Sequence, residues 1–429
     1  MRAFTEPLTQ LQGYEELEQA VQKTEGVILV SGCIDAVKPH IVYSVHNGSG
    51  SRIIVTFHEQ KAKELLEEYR FFDKNVAYYP AKDILFYQSD IRGNVLTSER
   101  INALKMMAEE KECTIITTFD GLMNPMPAPE KFIQAVKKIS VGDTVELNGL
   151  TRHLVELGYE KNYQAETMGE FSVRGGIIDI FPLTEETPFR IELWGDEVDS
   201  IRTFDVESQR SIENLMDIVI YPAVEFPQNG EKGVSFLDYF PPEDTILFLD
   251  EPVRLVERGQ NIVDEFMEAQ KKRLESGYDL EEEEAKIFPV TEILKKINCY
   301  SSIGFYALGM KCKGLEVRES YEIQAKSVNP YNNSFEMLTQ DLKRLKRNGY
   351  RVILLSGSRT RAKRLAEDLR DYNLSSYYGE ELDREVKPGE IMTAYGYIAE
   401  GYEYPMLKFT VIAESDIFGK RKKKNIHLK

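Results

Sequence analysis

The sequence predicts an α/β protein: a parallel-sheet domain split by an inserted α+β domain, and then a further small α/β domain. Three observations predict this architecture. Buried strand-type runs alternate with helical runs at first, short β-type segments separated by turn residues follow, and the alternation then returns. The chain has 429 residues, of which 42% are hydrophobic. That is enough for roughly two to four domains with cores of their own.

The first part of the chain alternates strand and helix. Three apolar runs are typical of strands buried on both faces, at residues 26–31, 52–57 and 113–118. Apolar residues recur at helical spacing between them, as over 60–68. Strands that alternate with helices form right-handed parallel sheets. Because the buried-strand pattern returns at 245–250, we predict one split domain made of residues 1–124 and 228–325.

The pattern changes after residue 124 and again near residue 326. Short strand-type segments predict an inserted α+β domain over residues 125–227. Residues 326–429 alternate helix and strand again and are predicted to form a third α/β domain. Its last residues include the basic run 420–424, which suggests that the sequence is part of a longer protein. The acidic run 281–284 is interpreted as a solvated helix face.

Net charge, apolar runs and cysteine spacing argue against several classes of function. The formal net charge of −17 argues against a surface devoted mainly to nucleic acid, since phosphate binding needs a clustered positive field. No apolar run has the length of a membrane span, and the N-terminus lacks the apolar core of a signal peptide. The four cysteines are scattered without CxxC spacing, which predicts reduced thiols in a cytoplasmic protein and no zinc site.

A candidate nucleotide site follows the first predicted strand. A P-loop needs Gly-x-x-x-x-Gly-Lys-[Ser/Thr], because backbone amides wrap the phosphates and a hydroxyl binds magnesium. Gly32 and Lys38 stand at the first-glycine and lysine positions, but Val37 replaces the second glycine and Pro39 the hydroxyl residue. Valine resists positive φ, and proline has neither an O–H nor an N–H. We therefore predict a P-loop-NTPase-like domain with a degenerate nucleotide site, in which Pro39 lies in the first turn of a helix.

The acids Asp250 and Glu251 follow a buried strand, where NTPases of this kind carry a magnesium-binding acid. Without a phosphate loop they have no metal-nucleotide to hold, so we interpret them as a remnant or a strand-end cap. No Ser/His/Asp or Cys/His arrangement stands out, and the five histidines lack metal-ligand spacing. We predict that this chain contains no catalytic residue, no metal site and no cofactor.

One long ungapped match covers residues 169–182, 189–202, 204–205 and 208–210. It resembles the segment shared by the nucleotide-excision-repair protein UvrB and the transcription-repair coupling factors (Mfd). Residues 413–421 resemble the stretch of the coupling factors that precedes their RNA-polymerase-interacting domain. UvrB keeps a working P-loop where Val37 and Pro39 stand here, and the coupling factors do not. The whole chain is therefore similar to the N-terminal portion of a coupling factor.

The resemblance implies a non-catalytic module that recruits UvrA to a stalled RNA polymerase, with UvrA docking on the inserted domain. It also implies that a C-terminal domain of the full-length protein masks this surface until activation. RNA polymerase and DNA would bind through domains outside this sequence, and ATP and magnesium would serve a translocase part outside it.

The family's contact positions, carried onto this sequence, fall at Arg174, Arg190 and Trp194, with Arg202 and Arg210 as weaker neighbours. Relatives commonly have phenylalanine where this chain has Trp194, its only tryptophan. Alternation along the predicted strand puts Arg190 and Trp194 on one face, and arginine and tryptophan dominate interface hot spots. We expect this face to be exposed. The alternative is that Trp194 is buried and Arg190 pairs with a surface acid.

Two other functions stay open. An ATP-dependent, damage-probing protein like UvrB would need an aromatic hairpin, and residues 78–100, with Phe86 and Tyr87, look too short for one. The net charge and the lost phosphate loop also disfavour it. A direct DNA grip by the third domain would use a set of basic residues on helices: Lys343, Arg344, Lys346, Arg347, Arg361, Lys363 and Arg364.

Overall fold

The computed structural model of the protein describes residues 1–22, 25–45, 50–82, 90–109, 112–224, 233–276, 287–307 and 312–419. The acidic run 281–284, the basic run 420–424, and Phe86 and Tyr87 lie outside these residues. Among the residues described, no helix combines the length and the apolar character that crossing a membrane requires.

The strands in chain order are β1 Gly26–Ser31, β2 Ser51–Thr56, β3 Val76–Tyr79, β4 Thr114–Thr118, β5 Lys137–Ser140, β6 Glu160–Lys161, β7 Glu170–Arg174, β8 Ile177–Ile180, β9 Phe189–Trp194, β10 Glu197–Phe204, β11 Ser211–Leu215, β12 Asp217–Ile220, β13 Thr245–Asp250, β14 Ser301–Tyr306, β15 Val317–Glu322, β16 Lys326–Ser327, β17 Arg351–Ser356, β18 Ser376–Gly379, β19 Ile391–Tyr395, β20 Tyr402–Tyr404 and β21 Phe409–Ile412.

The helices in chain order are α1 Arg2–Leu8, α2 Tyr14–Val21, α3 Lys38–Ser44, α4 Glu59–Tyr69, α5 Asp90–Glu109, α6 Phe119–Met123, α7 Pro129–Ala135, α8 Leu147–Glu156, α9 Pro252–Glu275, α10 Val290–Ile297, α11 Phe335–Arg347, α12 Arg359–Asp371 and α13 Glu414–Phe418. The chain divides into two compact units. The first unit comprises residues 1–76, 242–255 and 294–429, and the second comprises 77–241 and 256–293. The domain boundaries drawn from the sequence stay a prediction.

The first unit contains the predicted parallel sheet, with strands in the order β15-β1-β14-β13-β2. All four pairings in this order are parallel. Strand β13 is buried along its whole length, and β1 and β2 each have five buried residues of six. The sequence shows this directly, because a strand covered on both faces consists mostly of apolar residues, without the alternation of polar and apolar residues seen when one face is solvated.

A second sheet of the first unit has the order β16-β20-β21-β17-β19-β18. Strands β21, β17, β19 and β18 run parallel, and β16 and β20 add antiparallel partners at one edge. Leucines of α11 and α12 share one core cluster with Val352 and Leu354 of β17, so both helices cover the same face of this sheet. The predicted third α/β arrangement is confirmed.

The second unit is built differently. Its main sheet has the order β11-β10-β9-β8-β7-β6 and is antiparallel except for the short β6–β7 pair. A two-stranded antiparallel pair joins β5 to β12, and β4 is the neighbour of β3. Gly195 has a φ of +66° in the hairpin turn between β9 and β10, as the sequence predicts for Gly195-Asp196. The inserted segment is therefore an α+β arrangement.

Candidate functional site

The segment after β1 turns directly into a helix and does not form a phosphate loop. Asp35–Val37 is a short 3-10 turn, and α3 begins at Lys38 with Pro39 in its first turn, as predicted. Val37 is completely buried and has a helical φ of −94°. Gly32 has a φ of +76°, and a Cβ added there would lie 2.5 Å from the backbone oxygen of Ile323. The space beside this glycine is therefore filled by protein backbone.

Lys38 is surrounded by carboxylates. Its Nζ lies 2.6 Å from Asp250 Oδ1 and 2.6 Å from Asp35 Oδ1, and 4.0 Å from Glu251 Oε1. The side chains of Lys38 and Asp250 are 8% and 5% exposed. The lysine that would bind a phosphate is thus neutralised by the acid that would bind magnesium. Asp35 was missed from the sequence, although its spacing three residues before Lys38 on one helical turn is a signal for such a pair.

The electrostatics of this cluster favour the charged forms of Lys38 and Asp35. Burial by itself lowers the pKa of Lys38, but the attraction and hydrogen bonds of Asp250 and Asp35 outweigh it, so that the pKa is raised. Burial by itself raises the pKa of Asp35, but hydrogen bonds and attraction from Lys38 and Lys61 bring it down to about 2. Burial raises the pKa of the neighbouring Cys33 thiol to about 12, which makes it a poor nucleophile.

A cavity of about 960 Å³ lies beside this cluster within the first unit. One side is formed by Asp35 and α4, and the other by residues at the carboxyl ends of β17, β19 and β21. Two cations line it, and each is paired: Lys61 with Asp35, and Arg361 with Glu414. The lining acids outnumber them and are Asp35, Glu64, Glu67, Glu68, Glu400 and Glu414. Such a wall repels a triphosphate.

We expect Mg-ATP to bind this chain with a dissociation constant weaker than about 1 mM, if at all. The lysine is already paired, the glycine faces backbone, and the cavity is acidic. Isothermal titration calorimetry of the whole chain checks this expectation. The variant Lys38→Ala should behave in the same way, whereas micromolar binding that Lys38→Ala abolishes would contradict it.

The arginine face of the second unit is organised around one buried acid. Register places Asp179 of β8 directly opposite Arg190 of β9, and Arg190 directly opposite Arg202 of β10. Asp179 Oδ1 accepts a hydrogen bond from Arg190 Nε at 2.6 Å, and Oδ2 accepts one from Arg190 Nη2 at 2.8 Å. Arg174 Nη2 donates to the same Oδ2 at 2.6 Å. The acid is 2% exposed.

The expectation that Arg190 is exposed beside Trp194 is wrong. Arg190 is only 9% exposed, because its guanidinium is held by Asp179, lies 4.1 Å above the ring of Phe204, and donates to Gln209 Oε1 at 2.8 Å. Trp194 is 83% exposed at the end of β9. Both expectations for this face are therefore partly wrong: Trp194 is exposed, and Arg190 is buried and pairs with the buried Asp179 instead of Glu192 or another surface acid.

The other predicted contact residues remain accessible to different degrees. The side chains of Arg174 and Arg202 are 35% and 22% exposed, and Arg210 is exposed in the loop after β10. Arg202 donates to Glu192 Oε1. Two exposed apolar residues near β11, Ile212 and Met216, were not singled out from the sequence. A single exposed apolar residue carries no sequence signal, because surfaces normally contain some.

Comparisons with known proteins agree with the resemblance described above. Residues 138–226 match the model of the UvrB interaction domain family. Over 82% of its length the chain is 25% identical to the transcription-repair-coupling factor of Bacillus subtilis (strain 168). The chain is also 24% identical, over 92% of its length, to the transcription-repair-coupling factors of Staphylococcus haemolyticus (strain JCSC1435) and Staphylococcus aureus (strain bovine RF122 / ET3-1).

The chain resembles transcription-repair coupling factors over most of its length. It spans 34% to 38% of the length of these three relatives. The arginine face and Trp194 all lie inside the part that matches the UvrB interaction domain. The cluster around Lys38 lies outside that part.

The described residues bear on the two alternative functions only in part. Tyr79 is completely buried in β3, and Arg100 is 2% exposed and lies 4.1 Å above the Tyr79 ring, so these residues belong to the core. In the third α/β part, Arg344 pairs with Asp341 and Arg361 with Glu414. Among the residues described, no group of three or more His, Cys, Asp or Glu could hold a metal ion.

Proposed function

We propose that this chain is a non-catalytic part of a transcription-repair coupling factor, and that it recruits UvrA through the arginine face of the second unit. The exposed Trp194, which lies in the segment matching the UvrB interaction domain, is the observation that carries this proposal. An indole that is 83% exposed offers a partner a large, rigid aromatic contact area, and tryptophan is among the residues most enriched at interface hot spots.

The lack of catalysis is supported by the cluster around Lys38. In an active NTPase the lysine and the acid at these positions must both be available to phosphate and magnesium. Here they neutralise each other, with 2.6 Å between Lys38 Nζ and Asp250 Oδ1. We propose that ATP turnover, RNA polymerase binding and DNA translocation, together with masking of the UvrA surface by a C-terminal domain, belong to parts of the full-length protein outside this sequence.

Replacement of Trp194 by alanine is expected to weaken UvrA binding by about 2 kcal/mol, or roughly 30-fold in dissociation constant. The reason is that a central aromatic anchor loses its buried contact area. The affinity of purified UvrA for the whole chain, measured by calorimetry or biolayer interferometry, checks this expectation.

The matched control is Tyr163→Ala, since Tyr163 is an equally exposed aromatic (85%) that follows β6, an edge strand three positions away from β9 in the sheet. It should bind UvrA like the wild type. If Trp194→Ala retains wild-type affinity, or if wild type shows no affinity for UvrA at all, the proposal is overturned.

A further inference from the structure

Strand β15 is an exposed edge of the parallel sheet in the first unit. Within the described part of the chain it pairs with β1 on one side and stands last in the sheet order. Five of its six residues are exposed, and the sixth is half-buried. The edge strands of the other sheet of this unit differ, since β16 has only two residues and no position of β18 is exposed. An exposed edge such as β15 presents backbone N–H and C=O groups that another strand can bind.

The backbone groups of β15 that point to the open edge belong to Ser320 and Glu322. The N–H of Ile323 donates to the backbone oxygen of Ser31 at 2.9 Å, and the backbone oxygen of Tyr321 accepts from Ser31 Oγ at 3.3 Å. These odd-numbered residues therefore face β1. Because successive residues of a strand direct their backbone groups to opposite sides, Ser320 and Glu322 direct theirs away from the sheet.

The order of charges along β15 is complementary to itself. Consider an antiparallel pair of two β15 strands with the two-fold axis at Ser320. Each Ser320 then lies opposite its copy, and Arg318 lies opposite the partner's Glu322 on both sides of the axis. The backbone allows this register, because Ser320 and Glu322 become the hydrogen-bonded positions. Opposite charges that face each other across two strands stabilise the pair.

Other two-fold registers match the charges less well. An axis at Glu319 or Glu322 places a glutamate directly opposite its own copy, and like charges in that position are destabilising. An axis at Tyr321 brings no opposite charges together. The axis at Ser320 is therefore the register that the charges of β15 favour.

Arg318 can leave its present partner at little cost. Its Nη2 lies 3.5 Å from Glu25 Oε2, and the two side chains are 39% and 72% exposed. Ion pairs as exposed as this one contribute little to stability. The register between β1 and β15 also passes from Val317 to Glu319, so Arg318 lies in a bulge of the ladder.

We propose that β15 is a self-association edge, through which two copies of this chain form an antiparallel, two-fold dimer. An edge-to-edge contact is small, and each copy carries a net charge of −17, so the association is weak. Salt at about 0.15 M screens the repulsion between charges far from the contact. The inference goes beyond UvrA docking and does not depend on it, because β15 lies outside the residues 138–226 that match the interaction domain.

Disulfide trapping of the whole chain tests the position of the axis. In a Cys299→Ser background, which removes the exposed cysteine, Ser320→Cys should form a covalent dimer on oxidation with copper phenanthroline. The reason is that two residues opposite each other at a hydrogen-bonded position have Cα atoms about 5.5 Å apart, as a disulfide requires. The matched control is Val317→Cys, an exposed position of the same strand. Its two copies would lie about 20 Å apart in this register and should not cross-link.

Exchange of the charges tests the pairing itself. Arg318→Glu or Glu322→Arg alone places like charges opposite each other twice, and we expect each to weaken dimerisation about tenfold. Arg318→Glu/Glu322→Arg restores both contacts with the signs exchanged, and its dissociation constant should lie within about twofold of the wild-type value. Sedimentation equilibrium in about 0.15 M salt measures these constants, and circular dichroism checks that each variant is folded.

Three results would each overturn the proposal. The first is a wild-type chain that stays monomeric up to about 1 mM. The second is a doubly exchanged variant that dimerises no better than the single ones. The third is cross-linking of Val317→Cys as rapid as that of Ser320→Cys, which would show that the copies meet without a fixed register.

Discussion

Replacement of Lys38 by methionine is expected to lower the free energy of unfolding of the first unit by about 3–5 kcal/mol at neutral pH. Methionine fills nearly the same volume, so the loss comes from the charge. Asp250, 5% exposed, would be left ionised and unpaired in the interior. Native-state hydrogen exchange of the β1 and β13 amides reports the stability of this unit separately from the second.

Two further variants test whether the unpaired charge of Asp250 causes this loss of stability. Lys61→Met removes another lysine bonded to Asp35, but Lys61 is 26% exposed and its partner 65%, so we expect a loss below about 1 kcal/mol. Lys38→Met/Asp250→Asn removes the orphaned charge and should recover most of the stability. A loss for Lys38→Met no larger than for Lys61→Met would show that the cluster contributes little.

The contribution of His40 to stability is expected to fall by about 3 kcal/mol between pH 7 and pH 4. His40 is completely buried, Nε2 lies 2.9 Å from the backbone oxygen of Phe4, and Nδ1 lies 3.1 Å from the hydroxyl of Tyr404. Burial lowers its pKa from 6.5 to about 4, against the opposing effect of the hydrogen bond to Phe4. The unfolded chain therefore binds a proton below pH 6.5 that the folded chain accepts only near pH 4.

Urea unfolding followed by circular dichroism measures this as a difference between wild type and His40→Gln. The wild-type advantage at pH 7 should decrease steadily towards pH 4, because the glutamine does not titrate. A constant difference between wild type and His40→Gln across this range would contradict the assignment.

Glu68 is expected to change stability with pH in the opposite direction to His40. The pH dependence of the wild type alone would mix the two effects, so each residue is tested by its own variant. Burial raises its pKa to about 7, and Lys61 opposes this while Glu400 and Glu64 add to it. A carboxyl with a raised folded pKa contributes stability at low pH that is lost as the pH rises through that value. Relative to Glu68→Gln, the wild type should therefore gain stability on acidification.

Strands β1, β2, β13 and β17 could be predicted from the sequence because burial on both faces leaves an almost uninterrupted apolar run. β13 and β17 are buried at every position. The start of helix α3 around Val37 and Pro39 was also predictable, since neither residue suits a phosphate loop and proline suits the first turn of a helix. These features depend on the chemistry of single residues or on short-range patterns.

The partners of the charged side chains could not be predicted. Strand alternation placed Arg190 on the correct face, but Asp179 on the adjacent strand and Gln209 in a loop determine that it is buried. The sequence does not state the register of β8 against β9, and a shift of one residue would exchange the two faces. Lys38 and Asp250 are likewise 212 residues apart and meet only because β1 and β13 both flank β14.

The cluster around Lys38 has a physiological consequence. A ligand stabilises a folded protein only if it binds the folded state, and the paired charges of Lys38 and Asp250 leave no free cation there for a nucleotide to bind. We therefore expect the melting temperature of the first unit to be the same in starved and well-fed cells, whatever their adenylate balance.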